Sequence, residues 1–426
     1  MNNRIKQLRK NSLNATERIS AERALLVTEF YKSNVSRGFS VPVQRAKAFE
    51  YILTNKKICI NELELIVGER GSAPKATPTY PEITLHSVTD LDILNSRTKV
   101  SFKSDKKTIS AYRDTIIPFW QGNTNRDKIF EAMTPEWLEA YSAGVFTEFQ
   151  EQRAPGHTVA GDKIYKKGML DIILDIENSI HALDYFSDAN AYEKHEELKA
   201  MKISAQAIIM YANRHAEKLQ LLAEKETDTV RKAELEEMSQ ICNRVPANKP
   251  QTFHQALQYY WFVHLGVITE LNPWDSFNPG RLDQHLYPFY KKEVENGSMN
   301  PEKAKELLGS FWVKFNNHPA PPKIGVTALE SNTFTDFSLI NIGGLKPDGS
   351  NAVNEMSYII LDVVEDMHMV QPSSMVQISK KNPENFVRRA VKVVKTAFGQ
   401  PSVFNTDAIV QQLLLQGKDI VDARNG

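Results

Sequence analysis

Three prolines within four residues, Pro319, Pro321 and Pro322, separate two different rhythms in this chain. Before them, apolar residues recur at the three-to-four-residue spacing of helices packed on one face. Ile19, Leu26 and Phe30 predict a helix over 16–32, and Val43, Ala46, Phe49, Ile52 and Leu53 mark a second. Thr134-Pro135-Glu136 has the cap, first-position proline and first-turn acid of a helix start, with the helix running to about residue 150. Two long charged helices follow over 162–185 and 190–226, with a turn near Asp228, and Asn300-Pro301-Glu302 opens another.

After the prolines, short apolar runs alternate with helix signals. Strands are expected over 323–327, 337–342, 375–379 and 402–404. Helices are expected from Asn354 to about residue 369, from Asn382-Pro383-Glu384 to about residue 398, and from Thr406 onward. Strand–helix alternation implies parallel strands joined by helical crossovers, hence an α/β fold. A length of 426 residues admits two to four domains at roughly 100–200 residues each. No linker is visible, so the expectation is one domain, mostly helical shell over 1–320 and alternating strand and helix over 321–426.

Charge narrows the partners. Lys plus Arg and Asp plus Glu are both 52, and a zero balance gives no support to nucleic acid or an anionic membrane surface. The most apolar stretch, 259–268, is too short to span a bilayer, which needs about 20 residues. The basic, polar N-terminus lacks the apolar run of a signal peptide. The expectation is a cytoplasmic protein. Cys59 and Cys242 have no partner at metal-ligand spacing and read as buried structural thiols.

Three clusters could carry chemistry. In Arg153-Ala154-Pro155-Gly156-His157, a forced turn precedes a titratable ring that either acts as acid or base or merely holds the turn. In 272–285, two prolines and a glycine prevent a regular helix, and Asp275 lies between Trp274 and Phe277. A buried carboxylate must be paired or shifted. Asp275 therefore invites a ligand cation or a catalytic proton, unless Asp275 or Asp283 simply pairs with Arg281. In 331–337, small hydroxyls alternate with aromatics, as in a pocket wall or an ordinary approach to a strand. There is no dinucleotide fingerprint, phosphate loop, serine elbow or zinc helix.

Taken together, ISAERALLVTEFYK, LELIVGERG, PTYPEI, AMTPEWLEAY, FTEFQEQRAPGHTV, YWFVHLG, NPGRLDQHL, SFWVKFNNHPAPPK, VNEMSYIILDV, VQPSSMVQISKK and GQPSVFNTDAIVQ run in order along nearly the whole chain. The sequence resembles the glycyl radical enzymes, the pyruvate formate-lyase-like group. That resemblance implies a ten-stranded barrel inside a helical shell, of which this chain would be the N-terminal part. It implies a lyase whose glycyl radical is installed by an activating enzyme using S-adenosylmethionine and an iron–sulfur cluster. No cofactor would be bound directly, the substrate would be a small molecule, and homodimers are common in the group.

Within the group, the nearest likeness is to the branch that dehydrates trans-4-hydroxy-L-proline to 1-pyrroline-5-carboxylate. Position by position, His157 would meet the leaving hydroxyl or its water, and Asp275 the ring ammonium or a transferred proton. Phe149, Ser331, Asp336 and Phe337 would line the pocket. In the group, a cysteine loop follows the residues matching Asp422-Ala423-Arg424, and the radical glycine lies further on. This sequence stops at Gly426, so the expectation is a chain inactive alone. The readings left open are a fragment, one half of a split enzyme, a non-catalytic scaffold that keeps the pocket, or a lyase for choline, a diol or an aryl acid.

Overall fold

The computed structural model describes residues 1–146, 160–271, 277–320, 324 and 338–425. Over these residues the chain is α/β, with helices dominating up to the proline cluster, a short parallel strand pair near the N-terminus and a four-stranded parallel sheet from residue 280 onward. The main helices are α1 (Asn3–Asn14), α2 (Glu22–Lys32), α3 (Val41–Asn55), α4 (Met169–His181), α5 (Ala191–Ala223), α6 (Thr229–Arg244), α7 (Phe253–Glu270), α8 (Leu282–Glu295) and α9 (Pro301–Asn316). Beyond the prolines come α10 (Glu355–Met367), α11 (Glu384–Val394), α12 (Thr406–Leu415) and α13 (Ile420–Asn425). No described helix is long and apolar enough to cross a membrane.

α7 forms the axis of the main core. Its residues from Phe253 to Ile268 are almost all buried, because a helix apolar all round must be enclosed by others. Trp261 packs edge-on to Phe311 and Phe315 of α9 and stacks on His264 with ring centroids 5.0 Å apart. The turn Leu65-Ile66-Val67 runs beside α7 and is fixed there by polar bonds. Gln258 accepts from Val67 N at 2.8 Å and donates to Val67 O at 3.0 Å, and Trp261 Nε1 donates to Gly68 O at 2.9 Å.

The strands are β1 (Arg18–Ser20), β2 (Ala76–Pro78), β3 (Gly280–Arg281), β4 (Leu339–Gly343), β5 (Ser373–Ile378) and β6 (Ser402–Asn405). β1 and β2 pair parallel, and β3-β4-β5-β6 form a second, wholly parallel sheet in that order. Alternation along β4 and β5 turns Ile340, Ile342 and Val376 into the core with Met356, Ile360 and Phe386. β4 ends at Gly343, whose φ of +81° suits glycine, and a Cβ there would lie 2.7 Å from Gln377 O.

The expected elements are mostly present, with informative differences. The helix expected over 16–32 begins only at Glu22, because Arg18 N and Ile19 N donate to Lys75 O and Lys103 O and draw 18–20 into a strand. The helix starting at Pro135 stops at Ser142, where Gly144 takes a positive φ and Val145 N returns to Ala140 O. The helix expected over 162–185 is broken: Lys163–Lys166 is a single turn, and Met169 N and Leu170 N then bond to Pro246 O and Ala247 O instead. α11 ends at Val394 rather than near residue 398, since Ala397 and Gly399 both take positive φ. The strand expected over 323–327 lies outside the described residues apart from Ile324.

Candidate active site

His157, Asp275, Phe149, Ser331, Asp336 and Phe337 all lie outside the described residues. Only the described residues flanking these segments have a place in the fold. The segment carrying Asp275 leaves α7 and returns at Phe277, two residues before Pro279-Gly280 opens β3. The segment carrying Ser331, Asp336 and Phe337 returns at Ser338, just before β4. β3 and β4 are parallel neighbours, so both segments return at the same rim of the sheet. Side chains fasten them to each other there. Ser338 Oγ donates to Phe277 O at 3.1 Å, Leu339 N donates to Asn278 Oδ1 at 2.7 Å, and Ser373 N donates to Ser338 O at 2.8 Å.

The segment carrying Phe149 and His157 resumes at Ala160 and Gly161, followed by the single turn Lys163–Lys166. Tyr165 in that turn packs on His285 of α8, ring centroids 5.0 Å apart. Burial pushes the His285 ring down to about 4, with Asp162 pulling weakly the other way, so it is neutral at pH 7.

The outgoing ends of two segments are held more elaborately. Tyr80 OH donates to Ile268 O near the end of α7, and Arg23 Nε donates to Thr269 O at 2.6 Å. Arg70 Nη2 donates to Tyr80 OH at 2.9 Å and reaches Ile268 O at 3.5 Å, while Nη1 donates to Pro319 O at 3.3 Å. Cationic groups at a helix C-terminus also suit its dipole.

Beside them lies a buried ionic cluster. Lys314 Nζ contacts Glu64 and stands 2.9 Å from Glu69 Oε1. Glu69 Oε1 also accepts from Asn61 and Asn317, at 2.8 and 3.1 Å, and Glu69 Oε2 lies 2.8 Å from His318 Nε2. Burial works against the charge on Glu69, but Lys314 and His318 outweigh it and carry the carboxyl down to about 2. Burial pushes the His318 ring down to about 4, so a neutral imidazole faces an ionised carboxylate. Burial raises Glu64; burial also works against the Lys314 charge, but the Glu64 and Glu69 carboxylates outweigh it and hold the Lys314 proton firmly.

Of the two carboxylates weighed as a partner for Arg281, Asp275 lies outside the described residues, and Asp283 and Arg281 bond to other groups. Arg281 donates to three carbonyls, those of Gly343, Leu345 and Arg424. Asp283 accepts from Gly343 N at 2.9 Å and from the Ser357 hydroxyl. The guanidinium's fork of donors reaches carbonyls at and just after the end of β4 and one in α13, and the carboxylate takes the Gly343 amide at the end of β4. Burial, the largest influence, raises Asp283 above the usual carboxylate range.

Sequence reasoning passed over Glu69, Arg70 and Tyr80. The available signal was a charged pair between glycines, Gly68-Glu69-Arg70-Gly71, directly after an apolar run. Cys242 is buried and Cys59 half-buried, and burial pushes both thiols up, Cys59 to about 12. Neither is an activated nucleophile.

Comparison with known proteins agrees with this frame. The pyruvate formate lyase-like family profile matches residues 1–426. Trans-4-hydroxy-L-proline dehydratase of Clostridioides difficile is 53% identical over 423 residues, covering 99% of this chain and 54% of that protein. The crystal structure of hydroxyproline dehydratase from Clostridioides difficile with trans-4-hydroxy-L-proline bound superposes with a TM-score of 0.96 at 52% identity, over all of this chain and 54% of that one. The glycerol-bound, B12-independent glycerol dehydratase from Clostridium butyricum superposes at 0.92 with 29% identity, over all of this chain and 53% of that one. The chain thus spans about half the length of the relatives it matches. On the profile, the identity and the superposition alike, it belongs to the pyruvate formate lyase-like family.

Proposed function

We propose that the protein is a glycyl radical hydro-lyase that dehydrates trans-4-hydroxy-L-proline to 1-pyrroline-5-carboxylate. The observation that carries this reading is the step in similarity. Identity is 53% to the hydroxyproline dehydratase, against 29% to a glycerol dehydratase and 29% to an isethionate sulfite-lyase of Nitratidesulfovibrio vulgaris. The overall change is loss of water, with no external oxidant or reductant. A glycyl radical, installed by an activating enzyme that uses S-adenosylmethionine and an iron–sulfur cluster, supplies hydrogen abstraction in such a lyase. The four-stranded parallel sheet is read as part of a ten-stranded barrel built within one domain, and the assembly as a homodimer.

The tasks of this chain are to bind, orient and keep water out. Asp275 is read as the partner of the ring ammonium, since a carboxylate flanked by aromatics favours a cation over water. His157 is read as the hydrogen-bond partner of the leaving hydroxyl, able to deliver a proton near neutral pH. Phe149, Ser331, Asp336 and Phe337 are read as pocket wall, giving apolar surface with a few placed polar groups. The two flanks tied together at the sheet rim, before β3 and β4, support the placing of Asp275 beside Ser331, Asp336 and Phe337.

The test is anaerobic turnover by the whole protein, completed to the length of its relatives and treated with an activating enzyme. Hydroxyproline should be converted to 1-pyrroline-5-carboxylate, and D275N should raise KM for hydroxyproline at least tenfold. Turnover of glycerol or choline in preference to hydroxyproline would overturn the assignment.

A further inference from the structure

A cavity of about 640 Å³ opens between α2, α3 and the stretch 119–128, and every residue that lines it is described. Small-molecule sites commonly fall at roughly 300–1,000 Å³. Its apolar side is made by Val27, Ala48, Ile52, Ile83, Phe119 and Trp120. Tyr31 meets Trp120 edge-on, with ring centroids 5.7 Å apart, and Trp120 spends its one polar atom on Thr28 Oγ1 at 2.8 Å. An aromatic wall of this kind receives a flat apolar body.

The polar side has an unbalanced charge. Glu82 and Glu270 line it, and each is taken by a guanidinium: Arg23 donates to Glu82, and Arg45 pairs with Glu270. Burial raises the Glu270 carboxyl against the pull of Arg45 and Arg23, which takes nothing from the positive side. Two more cations line the same hollow, Arg37 just after the short 3₁₀ turn Asn34–Ser36 and Lys128 in the helix Asn125–Glu131. Both are exposed, and neither side chain has an ion pair or hydrogen bond among the described residues. Four cations therefore face two carboxylates, an excess of +2. The Tyr31 hydroxyl likewise has no hydrogen-bond partner among the described residues. Burial, with Glu82 and Glu270 adding to it, raises that phenol, so it keeps its proton to donate.

We propose that this cavity binds a phosphate monoester of a flat aromatic body, with Arg37, Lys128 and the Tyr31 hydroxyl on the phosphate and Phe119 and Trp120 against the rings. A phosphate monoester carries close to −2 at pH 7 and offers three strong acceptor oxygens. That matches two unpaired cations and one free hydroxyl, whereas a lone carboxylate would leave one cation unanswered. A cationic ligand would have to displace a guanidinium from Glu82 or Glu270. None of the residues assigned to hydroxyproline takes part, so the site stands apart from the dehydratase reading.

Adenosine monophosphate is the probe, with adenosine and inorganic phosphate as its two halves, titrated calorimetrically into the whole protein without activation. The monophosphate should bind with Kd below about 1 mM at low salt, and each half at least about tenfold more weakly. R37E and K128E should each weaken the monophosphate about tenfold and leave adenosine unchanged, while K218E, at an exposed lysine of α5, should change neither. Hydrogen exchange should slow over 33–45 and 119–128 on binding, and not in the middle of α5. Absence of binding, either half binding as tightly as the whole, wild-type affinity in both R37E and K128E, or protection confined to other segments would overturn the proposal. Turnover of hydroxyproline is not measured here, so failure of the dehydratase assignment and failure of this site are read separately.

Discussion

Lys314 Nζ lies 2.9 Å from Glu69 Oε1, and neither side chain reaches solvent. The same ammonium contacts Glu64, and all three groups are enclosed between α9 and the 61–70 turn. Charges buried this way are stable only as a set, because each depends on the others to replace lost hydration. K314M should therefore destabilise the fold by about 3–5 kcal/mol, far more than the loss of a surface pair. Urea unfolding of the variant against wild type checks this. A loss under 1 kcal/mol would show that the carboxylates are relieved by other means.

His215 gives a pH prediction with a definite sign. Its ring is enclosed by Tyr211 and Phe262, with centroids 4.6 and 5.3 Å away, and burial pushes it from 6.5 down to about 3. The unfolded chain therefore binds a proton that the folded chain refuses. The stability linked to this group is full above pH 6.5 and is lost as the pH falls toward 3. Each such proton steepens the dependence by about 1.4 kcal/mol per pH unit. H215F should flatten the stability profile between pH 6 and 4 by up to that amount. Denaturant unfolding at pH 7, 5.5 and 4.5 would reveal it, and an unaltered slope would remove His215 from the acid limb.

Gly68 should not tolerate a side chain. Its φ is +114°, and an added Cβ would stand 2.5 Å from Leu265 Cδ1 and 3.4 Å from Trp261 Nε1. G68A should cost about 1–3 kcal/mol from backbone strain alone, before any movement of Leu265. Trp261 is bonded to the Gly68 carbonyl, so its fluorescence should shift as well. A variant with wild-type Tm and emission would argue that the turn relaxes freely.

β6 should make the isolated chain self-associate. Among the described residues its only strand neighbour is β5, and Val403 and Phe404 are 51% and 41% exposed. An open edge with apolar side chains is a template for further pairing. V403K should shift sedimentation toward monomer while leaving the unfolding free energy within about 0.5 kcal/mol of wild type, as surface changes usually do. Equal association by both chains would clear the edge of responsibility.

Local chemistry was legible in the sequence. Asn300, Asn354 and Asn405 each cap a helix through a side-chain oxygen, and such caps depend only on residues a few positions away. Of the parallel sheet, β4, β5 and β6 were legible from alternation, whereas β3, two residues long and before the proline cluster, was not. What the sequence concealed was cooperation at a distance. Tyr80 meets Ile268, Glu69 meets His318, and Arg70 meets Pro319 across some 190–250 residues, where no periodicity operates. The short strand at 18–20 was hidden for the same reason, since its partners lie at 75–78 and 103. The six site residues were singled out by local turn chemistry and by resemblance, and what the structure adds is the frame that carries their segments.

All four strands of the second sheet run in one direction, so every segment arriving at a strand arrives at the same rim. That arrangement separates two kinds of change. Residues within the strands and the enclosing helices answer to packing and register, whereas arriving segments can alter in length and side chain while their anchoring bonds stay put. Frames that superpose at 0.96 and 0.92 belong to proteins named for hydroxyproline and for glycerol. A conserved chassis with exchangeable fittings along one rim is a physical route by which such a family diversifies its substrates.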